Sequence, residues 1–188
     1  MVHDDEQTWV RLAQQGDKAA FAELVRLHQT AVFNVAYRLF GRRQDAEDAA
    51  QEAFLRAYRA LHRFDRSRPF APWIKRITVN LCLNWLESER IRPQVSVADM
   101  TPREEEAPGM DQWAHQSPTP EQTMVQQENA RRLRQAIVQL PTRYRAVIEY
   151  RHFQELSYEE IAVVMERPLS SVKSDLFRAR KMLGKQLE

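Results

Sequence analysis

Apolar side chains recur at helical spacing over most of the chain and lapse once, near its middle. Between Asp17 and Phe40, the residues Phe21, Leu24, Val25, His28, Val32, Val35, Ala36 and Leu39 fall on one stripe, and Gly41 follows where a helix takes its carboxyl-terminal cap. Asp45 opens a second helix whose inner face, Ala46, Ala49, Ala50, Ala53, Phe54, Ala57 and Leu61, is mostly small side chains that let helices pack closely. Its other face shows Glu47, Asp48, Gln51, Glu52 and Leu55, acids with one apolar residue among them. Those acids either complement the helix dipole or form a docking surface for a partner. A third helix, from about Pro69, carries Trp73, Ile74, Ile77 and Leu81 at core spacing.

The helical pattern is clear again after Leu156, in two short helices. Ser157 and Glu160 have the spacing of a capping box, which fixes where the first of them starts. Ile161, Val164 and Met165 face a core, and Pro168 disfavours helical geometry at Arg167, so the chain turns there. Ser170 or Ser171 caps the next helix, with Val172, Leu176 and either Phe177 or Ala179 inward and Lys173, Ser174, Arg178 and Lys181 outward. From Arg167 to Lys185 six bases stand against one acid, Asp175, whereas Glu155 to Glu166 holds four acids and no base. The pair is either a plain helical hairpin or a helix-turn-helix whose second, basic helix reads DNA.

Composition changes the picture in the middle of the chain. Five of nine prolines (Pro93, Pro102, Pro108, Pro118, Pro120) fall in one stretch with five acids (Asp99, Glu104, Glu105, Glu106, Asp111) and one base, Arg103. Without an apolar period, this reads as a linker. The expectation is an all-α chain of two small helical domains, 1–92 and 121–188, joined by a flexible acidic linker, 93–120. A net charge of +2 leaves attraction to nucleic acid to local patches. One such patch lies between residues 56 and 76, where Arg56, Arg59, Arg63, Arg66, Arg68, Lys75 and Arg76 face only Asp65, interleaved with Tyr58, Phe64, Phe70 and Trp73. Asn80, Asn84 and Trp85 follow. Bases, rings and amides of this kind suit melted nucleic acid, while Trp73, and alternatively Phe64, fit a core.

Other chemistry is absent from the pattern. Cys82 stands alone, and His3, His28, His62, His115 and His152 lack metal-ligand spacing, so neither a disulfide framework nor a metal or other cofactor is expected. No apolar run approaches a membrane span and the amino terminus is acidic, which predicts a soluble cytoplasmic protein without membrane insertion. Nucleophile–base pairs and glycine-rich phosphate loops are missing, which argues against an enzyme.

Three segments in order carry a family resemblance: DAEDAAQEAFLRAYRAL, RPFAPWIKRITVNLCLNWL, and LPTRYRAVIEYRHFQELSYEEIAVVMERPLSSVKSDLFRARKML. Together they resemble a bacterial extracytoplasmic-function (group IV) sigma factor of the sigma-70 family, over almost the whole chain. The resemblance implies a sigma region 2 domain, a linker and a sigma region 4 domain at the boundaries above. It implies partners too: the β′ and β subunits of core RNA polymerase, promoter DNA, and a cognate anti-sigma factor. Core-polymerase contact falls to Asp48, Gln51, Glu52 and Leu55, and capture of the melted −10 element to Phe64, Asp65, Asn80 and Asn84. Reading of the −35 element falls to Ser171, Lys173, Ser174, Phe177 and Arg178, with Arg167 and Arg180 on the DNA backbone. Glu155 stands where many relatives have glycine.

The family's linker threads the polymerase channel later used by the transcript, which suits the acidity of 93–120. Twenty-eight residues reach on the order of 90 Å stretched and roughly 30 Å as a coil, so a compact free protein and an extended bound one are both within reach. A one-component helix-turn-helix regulator, acting without core polymerase, is the alternative function. It would need a ligand pocket or dimer interface that the small-residue helix does not suggest.

Overall fold

The computed structural model describes residues 2–91 and 120–187, with side chains over 5–88 and 128–187. The acidic linker 93–120, apart from the backbone of Pro120, lies outside the described residues. All regular structure among the described residues is helical: α1 (Val2–Gln14), α2 (Lys18–Phe40), α3 (Arg43–Ala60), α4 (Phe70–Ile91), α5 (Pro120–Gln139), α6 (Thr142–Ile148), α7 (Tyr158–Val164) and α8 (Leu169–Leu187). A 3₁₀ turn, Leu61–Arg63, follows α3, and a π-helical turn, Glu149–Phe153, follows α6.

Helix α2 begins and ends by local chemistry. The Asp17 carboxylate accepts from the backbone of Ala19 and Ala20 at 2.8 and 3.1 Å, and Gly41, at φ 75°, donates its N–H to Tyr37 O at 2.9 Å. Helix α3 starts at Arg43, two residues before the expected Asp45. Its buried stripe of Ala46, Ala49, Ala53, Phe54 and Ala57 packs against α2 and α4, around Leu24, Val32, Val35, Leu39, Ile74 and Leu81. The loop after α3 is pinned from α1, where Gln14 Nε2 donates to the carbonyls of Leu61 and Phe64, both at 2.9 Å.

In the second domain the capping box forms as spaced. Ser157 Oγ accepts from Glu160 N at 3.1 Å and Glu160 Oε2 accepts from Ser157 N at 2.7 Å. Helix α7 ends with Glu166 in the left-handed region, φ 52°, where Glu166 N donates to Val163 O and Arg167 N to Ala162 O at 3.2 and 2.9 Å. This double closure makes the turn of the helix-turn-helix. Helix α8 then starts at Leu169, with Pro168 O accepting from Ser171 N and Val172 N. Neither Ser170 nor Ser171 is therefore the cap; both lie in the first turn. Ala179, not Phe177, completes the inward face of α8 with Val172 and Leu176.

The two helical domains pack together, α5, α6 and the π turn lying against α2 and α4. At the seam, Arg38 Nε and Nη2 donate to Glu149 Oε2 and Oε1 at 2.7 and 2.9 Å, and the Arg38 guanidinium lies 4.2 Å from the Phe153 ring centroid. Arg145 Nη1 reaches Leu39 O at 2.6 Å while its Nε holds Leu140 O at 2.7 Å. A side chain at Gly41 would meet Val138 Cγ2 at 2.7 Å, so glycine serves both the left-handed cap and this close approach.

Candidate functional site

Three surfaces gather the residues singled out from the sequence. On α3, Asp48, Gln51 and Leu55 are exposed, Leu55 by 52%, and Glu52 is half-buried. With Arg56 and Trp85 they line one shallow depression. Glu52 Oε1 accepts from Arg56 Nε at 2.8 Å, which holds the carboxylate in place along the helix. Beside the depression, Gln51 and Leu55 also edge an apolar groove of about 780 Å³ floored by Phe21, Val25, Phe33, Phe54 and Tyr58. Trp85, grouped from the sequence with the nucleic-acid residues Asn80 and Asn84, falls on this surface instead, and of the groove residues of α2 helical spacing marks Phe21 and Val25 only as core.

The second surface is the loop between α3 and α4 with the outer face of α4. Asp65 is exposed, and its carboxylate accepts from Ser67 N and Ser67 Oγ at 2.9 and 2.8 Å. Those hydrogen bonds hold its pKa below the ordinary carboxylate value. Arg76, Asn80 and Asn84 follow at i, i+4 spacing along α4, all exposed. Phe64 departs from this pattern: it is 7% exposed and packs on Trp73 and Phe70, with centroids at 4.7 and 5.8 Å. The ring floors the loop in place of standing on its surface, since three aromatic side chains hide more area together than apart.

The third surface is the outer face of α8. Lys173, Ser174, Phe177 and Arg178 are exposed on adjoining turns, Phe177 by 70%, an unusual exposure for a large apolar ring. Arg180 is exposed, and Ser171 is half-buried in the first turn. Arg167 is tied inward, its Nη1 donating to Asp175 Oδ2 at 2.5 Å. Asp175, buried to 4% exposure, thus turns away from the exposed face of α8 and locks the turn to α8. Next to them, Arg143 Nη2 donates to the Tyr144 hydroxyl at 2.9 Å. No helix among the described residues is long and apolar enough to cross a membrane.

Two family models and several known proteins match the chain. Residues 24–91 match the family model for Sigma-70 region 2 and residues 130–183 that for Sigma-70, region 4. The RNA polymerase sigma-H factor of Pseudomonas aeruginosa is 37% identical over 188 residues, covering 100% of this chain and 96% of that one. The ECF RNA polymerase sigma factor SigW of Bacillus subtilis is 33% identical over 178 residues, 95% of this chain and 94% of SigW. Among solved structures, CnrH in complex with the cytosolic domain of CnrY superposes with a TM-score of 0.62 at 24% identity, covering 97% of each chain. The sigma factor RpoE of Bartonella quintana, in complex with the anti-sigma factor NepR, gives 0.64 at 20% identity over 89% of this chain and 96% of that one. These two likenesses speak for the fold. With both regions matched in order and relatives similar along nearly their full length, the chain belongs to the extracytoplasmic-function sigma factors of the sigma-70 family.

Proposed function

We propose that this sigma factor divides promoter recognition among its three exposed surfaces. As an alternative sigma factor it binds core RNA polymerase and directs promoter-specific initiation of transcription. In our reading Asp48, Gln51, Glu52 and Leu55 dock on the polymerase, with Trp85 and the adjoining groove extending the contact. Asp65, Asn80 and Asn84 meet the melted −10 element, and Phe64 supports them from beneath. Lys173, Ser174, Phe177 and Arg178 enter the major groove of the −35 element, flanked by Ser171 and Arg180. Arg167 acts on the DNA backbone only from its tether to Asp175. The observation that carries the assignment is the outer face of α8, where bases, a hydroxyl and a bare aromatic ring stand together on a helix held by a buried turn. By the family resemblance, a cognate anti-sigma factor covers the polymerase and DNA surfaces when the protein is held inactive. We place its work in the cytoplasm, as a reversible specificity subunit without enzymatic activity of its own.

Run-off transcription with bacterial core polymerase on a promoter library tests the reading. Initiation from a subset sharing −35 and −10 elements is expected; DNA binding by the protein alone, without stimulation of polymerase, would point to the one-component regulator instead. Glu52→Arg should abolish core binding with the helices intact. Arg178→Ala should keep core binding and lose about tenfold or more in −35 discrimination. Loss of the same function in both variants would refute the division of labour.

A further inference from the structure

The loop that carries Asp65 is held from a helix that none of the three surfaces includes. Gln14 is the last residue of α1, ahead of residues 24–91, which match the region 2 model. Its Nε2 donates to Leu61 O and to Phe64 O, each at 2.9 Å. Two carbonyl acceptors admit only this orientation of the amide, because its oxygen end has no hydrogen to give. Leu61 O also accepts from Phe64 N at 3.0 Å, so the 3₁₀ turn is closed from within and bracketed from outside by Gln14. The donor sits on a fixed frame. Val10 and Ala13 of α1 are buried, and Gln15 N and Asp17 N close the helix on Leu12 O at 3.0 and 3.1 Å before Asp17 caps α2.

Beyond Phe64 the chain closes on itself. Ser67 N and Oγ donate to Asp65 Oδ1 at 2.9 and 2.8 Å, and Arg68 N donates to Asp65 O at 3.1 Å, so residues 65–68 move as one unit. Oδ1 is thereby committed, and Oδ2, 3.6 Å from Arg68 Nε, is the acceptor this unit presents. With the Phe64 ring pinned on Trp73 and Phe70, the direction of that acceptor is set by the peptide plane joining Phe64 to Asp65. The carbonyl of this plane is one of the two that Gln14 holds. We propose that Gln14 is a positioning residue for the −10 element: it fixes the Phe64–Asp65 peptide and so presets Asp65 for an unpaired base, without touching DNA. The inference rests on the reading of Asp65 as a −10 contact and extends the −10 apparatus back to α1. An acceptor held in advance charges no ordering cost to the right base and cannot be drawn into a compromise geometry by a wrong one.

The test is run-off transcription by holoenzyme, core polymerase plus the full chain, on promoters in which each −10 and each −35 base pair is replaced in turn. Asp65→Ala is the control and marks the −10 positions that the loop reads. At those positions Gln14→Met, which keeps the length of the side chain without its donors, should compress discrimination about threefold to tenfold, the worth of one net hydrogen bond. Discrimination at −35 and core binding should stay unchanged. Gln14→Lys returns donors at similar reach and should recover most of the −10 discrimination. Equal loss on all promoters, Gln14→Lys no better than Gln14→Met, or full −10 discrimination in Gln14→Met each overturn the role while the −10 reading stands. If Asp65→Ala changes no −10 position, the −10 reading fails and the inference with it. Should Gln14→Met lose core binding, Gln14→Asn, whose amide falls short of both carbonyls, replaces it. Loss of core binding in both would make Gln14 a residue of the fold and refute the proposal.

Discussion

Glu155 shows how one backbone angle explains a departure from the family pattern. The family resemblance puts glycine at this position, and here the glutamate takes φ 58°, in the left-handed region that glycine enters without steric cost. The chain leaves the π turn at this point, and Leu156 N returns to Tyr150 O at 3.0 Å, so the angle is needed to close the loop before α7. Glu155→Gly should relieve the Cβ clash at a smaller entropic cost and stabilise the second domain by about 0.5–1 kcal/mol, raising its melting temperature by a few degrees. Calorimetry of the full chain reads this directly; an unchanged or lower midpoint would mean that the loop tolerates glutamate without strain. Two other residues were only partly legible: the sequence counts Asp175 as the one acid among the bases of α8 and leaves Phe64 open between a core and the −10 surface, and both are buried. Helical spacing alone leaves neighbouring angles ambiguous, and the deciding partners, Arg167 for one and Trp73 with Phe70 for the other, come from adjoining elements.

At the scale of elements, what was legible was local. The α2 caps and the α7 capping box lie within a few residues of the groups they satisfy, and the alanine stripe of α3 is a single helical period. Glu160 adds a pH dependence to that box. Hydrogen bonds from Ser157, the backbone N–H first, lower its pKa from 4.5. A carboxyl depressed in the folded state stabilises it above the unfolded value and loses that contribution as the pH falls through the folded one. Amide exchange in α7 should therefore quicken as the pH drops below 4.5 by more than its intrinsic trend, and Glu160→Gln, which keeps an acceptor without the titration, should flatten that excess. Parallel profiles would rule the carboxylate out. Ser157→Ala should cost about 1 kcal/mol at neutral pH. By contrast, the π turn and the packing of α6 on α2 were not legible, because they depend on residues 111 positions apart, Arg38 and Glu149. Neither residue belongs to a local motif.

On the scale of the molecule, this ion pair sets a condition on function. The −35 and −10 elements lie about 25 base pairs apart, on the order of 85 Å at 3.4 Å per step. A compact chain of this length has a radius of gyration of roughly 16 Å and spans about 40 Å, too little to occupy both elements with the domains packed as they are here. Under the proposed division of the two elements between the domains, the domains part on the promoter, and a stretched linker of 28 residues, reaching about 90 Å, permits it. Parting exposes the Arg38–Glu149 pair. Glu149 is 1% exposed and doubly bonded to Arg38, so it holds the closed form only while both partners are present; removing one leaves the other buried and unpaired, at a cost of about 3–5 kcal/mol. Most of that cost can be escaped by opening, since Arg38 regains water once α6 leaves. Glu149→Ala should therefore shift the free protein towards the open form with the helices of each domain intact. Distances between spin labels at Gln44 and Gln186, on helices α3 and α8, should be short and narrow in the free wild type, longer on core polymerase, and longer or broader in free Glu149→Ala. Equal distances with and without polymerase would show that the domains work without separating. A variant as compact as the wild type would instead place the strength of the seam elsewhere, in the Arg145 bonds to Leu39 and Leu140 and the fit of Gly41 against Val138.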